Sequence, residues 1–434
     1  MMGQDAKPSV GFQSLDVEAF ESEMKDVKLS SVSRPRGFSK FPACVCFVIV
    51  AGSVVGVSLL LKRTVSFAIR YMIFVNDKMA NRYCSSALTT DNLTQNIRWP
   101  GCGDEPWDDS CTQPCYSKEL PMQVADFNLK HPGRLLSYTS RPHADVETIT
   151  LKGWYLPAQL DRIPEGRKAP RVVIQHGFLE NSNYWRYVLL AYMLRLCGID
   201  VIANNFRDHC YSGNSSVRLC EWGNAYPYDV LGAWDFARTD PHGELGGALE
   251  DLHVGVAGFS KGAFTALNAM GLEARIPAAW VDGSIFTPEN VFVHNTRREL
   301  IRIGVPESLT PVVFKPLWSL VDRTALKHGV NFSRHTPQTM LPRGPDTRRP
   351  LYVVHNRKDH LCPETEHQRL RDLLGTMPEK YQLQEGGPWI VDQECHGDAH
   401  CSAHLSKFGE YLGRLCRFWR KVFDMGILEC ESIV

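Results

Sequence analysis

Ser260 stands between two glycines, Gly258 and Gly262, in the run "GVAGFSKGAF" of residues 255–264. A serine in G-x-S-x-G can act as the nucleophile of acyl transfer when the pentapeptide joins a strand to a helix. The apolar residues before Ser260 and the helix-forming residues after it predict that junction, with a strand over 253–260 and a helix over 261–274. So tight a bend leaves no room for side chains beside the serine, which accounts for both glycines. It also lifts the hydroxyl to a helix N-terminus, where backbone N–H groups and the helix dipole favour negative charge. The alternative is a buried strand that merely ends in a glycine-rich turn.

A serine hydroxyl is a poor nucleophile without a base, and a forming oxyanion needs donors. The donors have candidates. "VVIQHGFLENSNYW" ends a strand at His176-Gly177, so the N–H groups of Phe178 and Lys261 are suited to an oxyanion hole. His176 itself reads as packing for the turn. For the base, "ECHGDAHCSAHLSKFGEYL" offers His396, His400 and His404. Leu405, Phe408, Leu412, Leu415, Trp419 and Val422 recur at helical spacing, which puts Leu405 on the buried face of a closing helix that Ser402 or Ser406 can cap. His404 then falls at the helix start, where it packs or caps, and His396 falls beside a strand end as a turn residue. His400 lies between them in a short polar loop and is the preferred base. Cys395 and Cys401 flank it and can brace the loop if oxidised. The carboxylate that orients the base is Asp359, which follows a buried strand downstream of the serine. Its alternative role is a turn or N-cap residue before "PETEHQRLRDLL".

These residues need a rigid scaffold, and the periodicity supplies one. Strands are predicted over 171–177, 200–206, 253–260, 278–286 and 350–356, and helices over 184–198, 226–238, 261–274 and 406–423. The strands are apolar without in/out alternation and are separated by helices. That pattern indicates a parallel sheet covered on both faces. Residues 287–349 break the rhythm. They are rich in proline, carry apolar clusters such as "VVFKPLWSLV", and are expected to form a lid over a pocket rather than a structureless loop, with plain surface packing as the alternative.

The rest of the chain bounds the setting. Among 434 residues, 48 basic and 48 acidic side chains balance, which argues against a nucleic-acid binder. Residues 1–40 are polar and offer little to bury, so they read as a disordered tail. Phe41 to Leu61 carry no charge over 21 residues, enough for one transmembrane helix. A buried core helix or a cleaved signal peptide is the alternative, but the polar lead is too long for a cleaved signal. Residues 62–120 form a Cys/Pro-rich juxtamembrane segment, in which the spacing of Cys102, Cys111 and Cys115 fits no common zinc pattern. Residues 426–434 are a C-terminal tail. Basic residues flank the apolar span on both sides, so charge does not orient it. Twelve cysteines beyond the span and three sequons, at Asn92, Asn214 and Asn331, favour a glycosylated domain on the luminal or extracellular side, reached by the secretory pathway. Oligomeric state is not legible.

Taken together, residues 121–425 resemble the α/β-hydrolase family, and within it the serine-aminopeptidase and lipase-like branch with a lid insertion. The resemblance rests on the His176-Gly177 turn, on "NNFRDHCYSGNSS" at 204–216, on "GFSKG" and on "RPLYVVHNRKDHLCP". In the last of these, Asn356 stands where many members carry glycine, while Asp359 and Pro363 keep register. Asparagine tolerates left-handed backbone angles, so the turn is expected to survive. Gly397-Asp398-Ala399-His400 likewise matches the family's loop before the closing helix. The resemblance implies an α/β fold, a Ser260–Asp359–His400 triad in that chain order, and no cofactor or metal. Arg207 and Asp208 read as a structural pair near the pocket rim. Cys210, in place of the family's glycine, suggests a bridge, with Cys220 as partner. The activity implied is a membrane-anchored serine hydrolase cleaving an ester, thioester or amide, since one fold serves all three. The competing reading is a catalytically inactive binding or adhesion module of the same fold.

Overall fold

Buried β-branched segments organise the molecule. The computed structural model describes residues 73, 75–81, 84, 119–302, 304–384, 389–391 and 400–426. The tail 1–40, the apolar span 41–61, most of 62–120 with Asn92, and His396 with Cys395 lie outside the described residues, as does all but Gly426 of the C-terminal tail.

Among the described residues, nine strands form one sheet: β1 (Arg134–Thr139), β2 (Thr150–Leu156), β3 (Arg171–Gln175), β4 (Asp200–Asn204), β5 (Val254–Phe259), β6 (Ala279–Asp282), β7 (Arg349–Asn356), β8 (Tyr381–Leu383) and β9 (Trp389–Val391). Their order is β1-β2-β4-β3-β5-β6-β7-β8, with β9 also on β7. β1, β2 and β4 pair antiparallel, and every other pairing is parallel. The helices are α1 (Asp77–Ala80), α2 (Leu120–Lys130), α3 (Trp185–Leu196), α4 (Tyr226–Thr239), α5 (Lys261–Leu272), α6 (Pro288–Arg302), α7 (Thr310–Lys327), α8 (Pro337–Met340), α9 (Glu364–Gly375), α10 (Ala403–Ser406) and α11 (Phe408–Val422).

The five predicted strands are all present, though β6 ends at Asp282 rather than running to 286. Alternation exists after all, but between two apolar faces. Val172, Ile174, Ala257, Phe259 and Trp280 join α3 and α11 in one cluster, while Val173, Val256, Val281 and Val353 join α4 and α5 in the other. Both faces are dry, so the sequence shows no polar beat. The predicted closing helix is broken at Lys407 into α10 and α11, and Leu405, Leu412, Leu415 and Trp419 are buried as expected.

Part of the segment read as juxtamembrane belongs to this domain. Cys220 N–H donates to the Ile73 carbonyl (2.7 Å), Val75 N–H to that of Arg218 (3.1 Å), and Asn181 Nδ2 to that of Ala80 (3.0 Å). Cys84 is disulfide-bonded to Cys210. The expected Cys210–Cys220 bridge is therefore corrected: Cys210 is indeed bridged, but to Cys84, and Cys220 is a buried free thiol. A second disulfide, Cys197–Cys416, ties the end of α3 to α11. Cys401 is also free, so the brace between Cys395 and Cys401 does not form.

Residues 287–349 fold into α6, α7 and α8. Phe292 of α6 and Leu317 and Val321 of α7 share an apolar cluster with Leu179, Trp222, Phe264 and Ile285, at the carboxyl ends of β3, β5 and β6.

Candidate active site

In open α/β sheets, ligands bind beyond the carboxyl ends of the strands, where strand order reverses. Here β3 leads outward to β4 on one side, and β5 follows on the other. The candidate residues gather at that edge.

Ser260 lies between β5 and α5 with φ 54° and ψ −121°, a conformation costly for a residue with a Cβ. The glycines around it are steric necessities. A Cβ on Gly258 would stand 2.5 Å from the carbonyl group of Gly262, and one on Gly262 would stand 2.3 Å from the Gln175 carbonyl oxygen. No heavy-atom contact that short is tolerated, so the strand–turn–helix geometry demands glycine at both positions. The Ser260 N–H donates to the Asp282 carbonyl (2.9 Å), which pins the turn to β6.

Lys261 opens α5, so its N–H has no acceptor within the helix, as an oxyanion donor requires. Phe178 follows the β3 turn, where sequence placed it. His176 is structural: its Nε2 accepts from Phe206 N–H (3.1 Å) and its Nδ1 lies 3.0 Å from the Gly177 carbonyl. The side chain of Lys261 was not anticipated. It is buried over the rings of Tyr226 (4.3 Å) and Phe206 (5.0 Å), has no hydrogen-bond partner, and burial lowers its pKa to about 8.

Asp359 and His400 are brought together, with Asp359 Oδ2 2.7 Å from His400 Nδ1. The other oxygen, Oδ1, accepts from the N–H groups of Leu361 (2.9 Å) and Cys362 (2.8 Å). Burial alone would raise the carboxyl pKa, but His400 and these donors hold it below its ordinary value. Burial alone would likewise lower the imidazole pKa; the Asp359 carboxylate and the neighbouring thiols carry it well above 6.5. Asn356 preserves the turn by a route other than the one expected. Its φ is not positive, and its Oδ1 instead accepts from Lys358 N–H (2.9 Å) while its carbonyl accepts from Asp359 N–H (3.0 Å). Ser260 and His400 are not hydrogen-bonded to each other. Ligand-free hydrolytic sites commonly hold that pair loosely and tighten it around substrate.

His404 is buried, stacked on Trp185 at 5.3 Å and 3°, with a pKa pushed down to about 3 by burial. It packs rather than titrates.

Three features escaped the sequence. Asp282, at the end of β6, is a second buried carboxyl near His400; burial pushes its pKa up to about 7, and Tyr411 donates to it (3.3 Å). In sequence it stood inside the predicted strand 278–286, with nothing to mark it as part of the site. Arg186 of α3 bonds the carbonyls of His400 (3.2 Å) and Cys401 (3.3 Å) and pairs with Glu180 (2.9 Å), which in turn accepts from the Tyr187 hydroxyl that receives Gly177 N–H. The histidine loop and the oxyanion turn are thus tied by one network, invisible in sequence because Arg186 and Tyr187 sit on a helix with no polar periodicity. Finally, the expected Arg207–Asp208 pair is corrected. Arg207 pairs with Asp229 (2.7 Å), both fully buried, and Asp208 bonds Ser215 (2.6 Å) and approaches Arg218 (3.6 Å).

Residues 170–315 match a family described as the alpha/beta hydrolase fold. Among solved structures, the chain is similar to the Pyrococcus furiosus esterase Pf2001, at 18% identity and a TM-score of 0.50, over 69% of this chain and 94% of that one. It is also similar to an acylaminoacyl peptidase of Pyrococcus horikoshii, at 16% identity and a TM-score of 0.44, over 70% of this chain and 44% of that one. No curated protein matches it. Residues 170–315 and the sheet around them thus have the α/β-hydrolase fold.

Proposed function

We propose that this protein is a serine hydrolase working by acyl transfer, with Ser260 as nucleophile, His400 as base and then acid, Asp359 orienting His400, and the N–H groups of Phe178 and Lys261 receiving the oxyanion. The observation that carries the reading is the pairing of a strained serine elbow with a buried Asp359–His400 dyad at the same sheet edge. In the forward step His400 takes the Ser260 proton as Oγ attacks the carbonyl, and then returns it to the leaving group. Water repeats the cycle on the acyl-enzyme. The competing reading, an inactive binding module, has no observation in its favour: nothing about an adhesion surface requires the carboxylate–imidazole pair or the elbow strain.

The substrate carries an ester, thioester or amide, and its acyl part is apolar. Support for the latter is the cluster formed by Phe292, Leu317 and Val321 with Leu179 and Phe264, beyond the carboxyl ends of β3 and β5, which casts α6 and α7 as a lid. A fluorophosphonate probe should label the full-length protein, and p-nitrophenyl esters of graded chain length should be cleaved with rising kcat/KM from acetate to medium chains. An absence of labelling sinks the hydrolase reading, and a flat chain-length profile sinks the lid.

A membrane-anchored enzyme with its domain on the luminal or extracellular side remains our reading of the setting. Its supports are the two disulfides and the exposure of Asn214 and Asn331. Removal of N-glycans with an endoglycosidase should then increase gel mobility. An unshifted band from cells that glycosylate other cargo would put the domain on the cytosolic side.

A further inference from the structure

The base of the candidate site is surrounded by sulfur. Asp359, Cys362 and His400 are all buried, and their donor atoms lie within 4.8 Å of one another. Cys401 adds a second free thiol, with Sγ 3.6 Å from His400 Nε2 and 3.8 Å from Nδ1. Acyl transfer needs neither thiol. Nor has either been oxidised, although two other cysteine pairs in the same domain are disulfides.

Two thiolates, an imidazole and a carboxylate form the mixed set that borderline-soft, four-coordinate cations take. With zinc–ligand bonds of about 2.0–2.3 Å, tetrahedral donors stand roughly 3.3–3.8 Å apart. The donors of Asp359, Cys362 and His400 reach that range with side-chain shifts on the order of 1 Å, and Cys401, whose Sγ lies outside that group of three, joins it by a change of rotamer. Burial of the four side chains supplies the dry shell in which thiolate ligation is strong.

We propose that Asp359, Cys362, His400 and Cys401 form a binding site for Zn2+ or a similar soft divalent cation, and that occupancy silences the enzyme by taking the base. Binding replaces the protons of both thiols, and any proton on the imidazole between the metal and its nitrogen, and releases them to solvent. The ring nitrogen and Asp359 are then committed to the metal, so no group remains to accept the Ser260 proton. The inhibitory half of the proposal rests on the hydrolase reading; the binding half does not.

The test uses the full-length protein with Co2+ as a spectroscopic substitute and Zn2+ as inhibitor. Co2+ should give a thiolate-to-metal charge-transfer band in the near ultraviolet and the visible bands of a tetrahedral site, displaced by one equivalent of Zn2+. Cys362→Ala and Cys401→Ala should each weaken cobalt binding by at least about tenfold. Zn2+ should inhibit the wild type reversibly, with a chelator restoring turnover. Each variant, judged against its own metal-free rate, should need at least about tenfold more Zn2+ for the same loss. Absence of the charge-transfer band, or its full retention in both variants, overturns the site. A normal band with equal Zn2+ sensitivity in wild type and variants overturns the inhibitory role. A normal band in a protein that hydrolyses nothing leaves the metal site standing and removes the hydrolase reading.

Discussion

Ser260→Ala is expected to lower kcat by about 10⁴- to 10⁶-fold and to abolish fluorophosphonate labelling while leaving the fold intact. Removing the hydroxyl deletes the nucleophile and nothing else. The turn is held by backbone, through the Ser260 N–H to the Asp282 carbonyl and Phe264 N–H to the Ser260 carbonyl, and alanine retains both bonds. Alanine at φ 54° bears the same backbone strain as serine, since both have a Cβ. The thermal midpoint should therefore stay within a few degrees of wild type. A variant at Gly262 separates steric support from chemistry. Gly262→Ala places a methyl group 2.3 Å from the Gln175 carbonyl oxygen, so β3, which carries the oxyanion turn, must shift. That variant should lose stability and activity together, whereas Ser260→Ala should lose activity alone. Ordinary turnover by a folded Ser260→Ala protein would remove Ser260 from the mechanism.

The site was legible where function constrains the backbone, because backbone constraint appears as residue type. Glycine on both sides of Ser260 and a buried strand before Asp359 report geometry that few other sequences permit. What stayed hidden was set by side chains meeting across elements. Arg186 reaches the His400 loop from a helix whose buried face is nearly all round, so no stripe marked it. Asp282 looked like the middle of a longer strand, because apolar residues resume at Ile285 and Phe286, and Ile285 packs in the cluster with α6 and α7. Similarly, β1 and β2 went unseen: they join the sheet antiparallel at its edge, where β1 keeps one face exposed and offers only a short, weak alternation. Cysteine pairing was beyond reach for a plainer reason. Cys84 and Cys210 are 126 residues apart, and proximity in the fold, not in the chain, decides the partner.

Among the three histidines of the closing loop, only His400 should carry the rate. His400→Ala removes the group that activates Ser260 and is expected to cost about 10⁴- to 10⁶-fold in kcat, nearly the same as losing Ser260, because the two act as a unit. His404→Ala should instead cost on the order of 3 kcal/mol of stability, as truncation of a buried ring does, with kcat per folded molecule little changed. The pH profile adds a readout that a structural histidine would not move. The Asp359 carboxylate carries His400 well above 6.5, and only the neutral imidazole can act as base, so turnover should climb with pH through an apparent pKa above 6.5. The linked stability has the opposite slope: a raised imidazole pKa stabilises the fold fully below pH 6.5, and that contribution is lost as pH rises through the folded-state value. Asp359→Asn removes the opposing charge and leaves burial, which lowers the imidazole pKa. The activity limb should then move to more acidic pH, and kcat should fall by about 10⁴-fold as the ring loses its orienting acceptor. A limb that stays in place in Asp359→Asn would show that the titrating base is not the histidine beside Asp359, and would return the choice to His396.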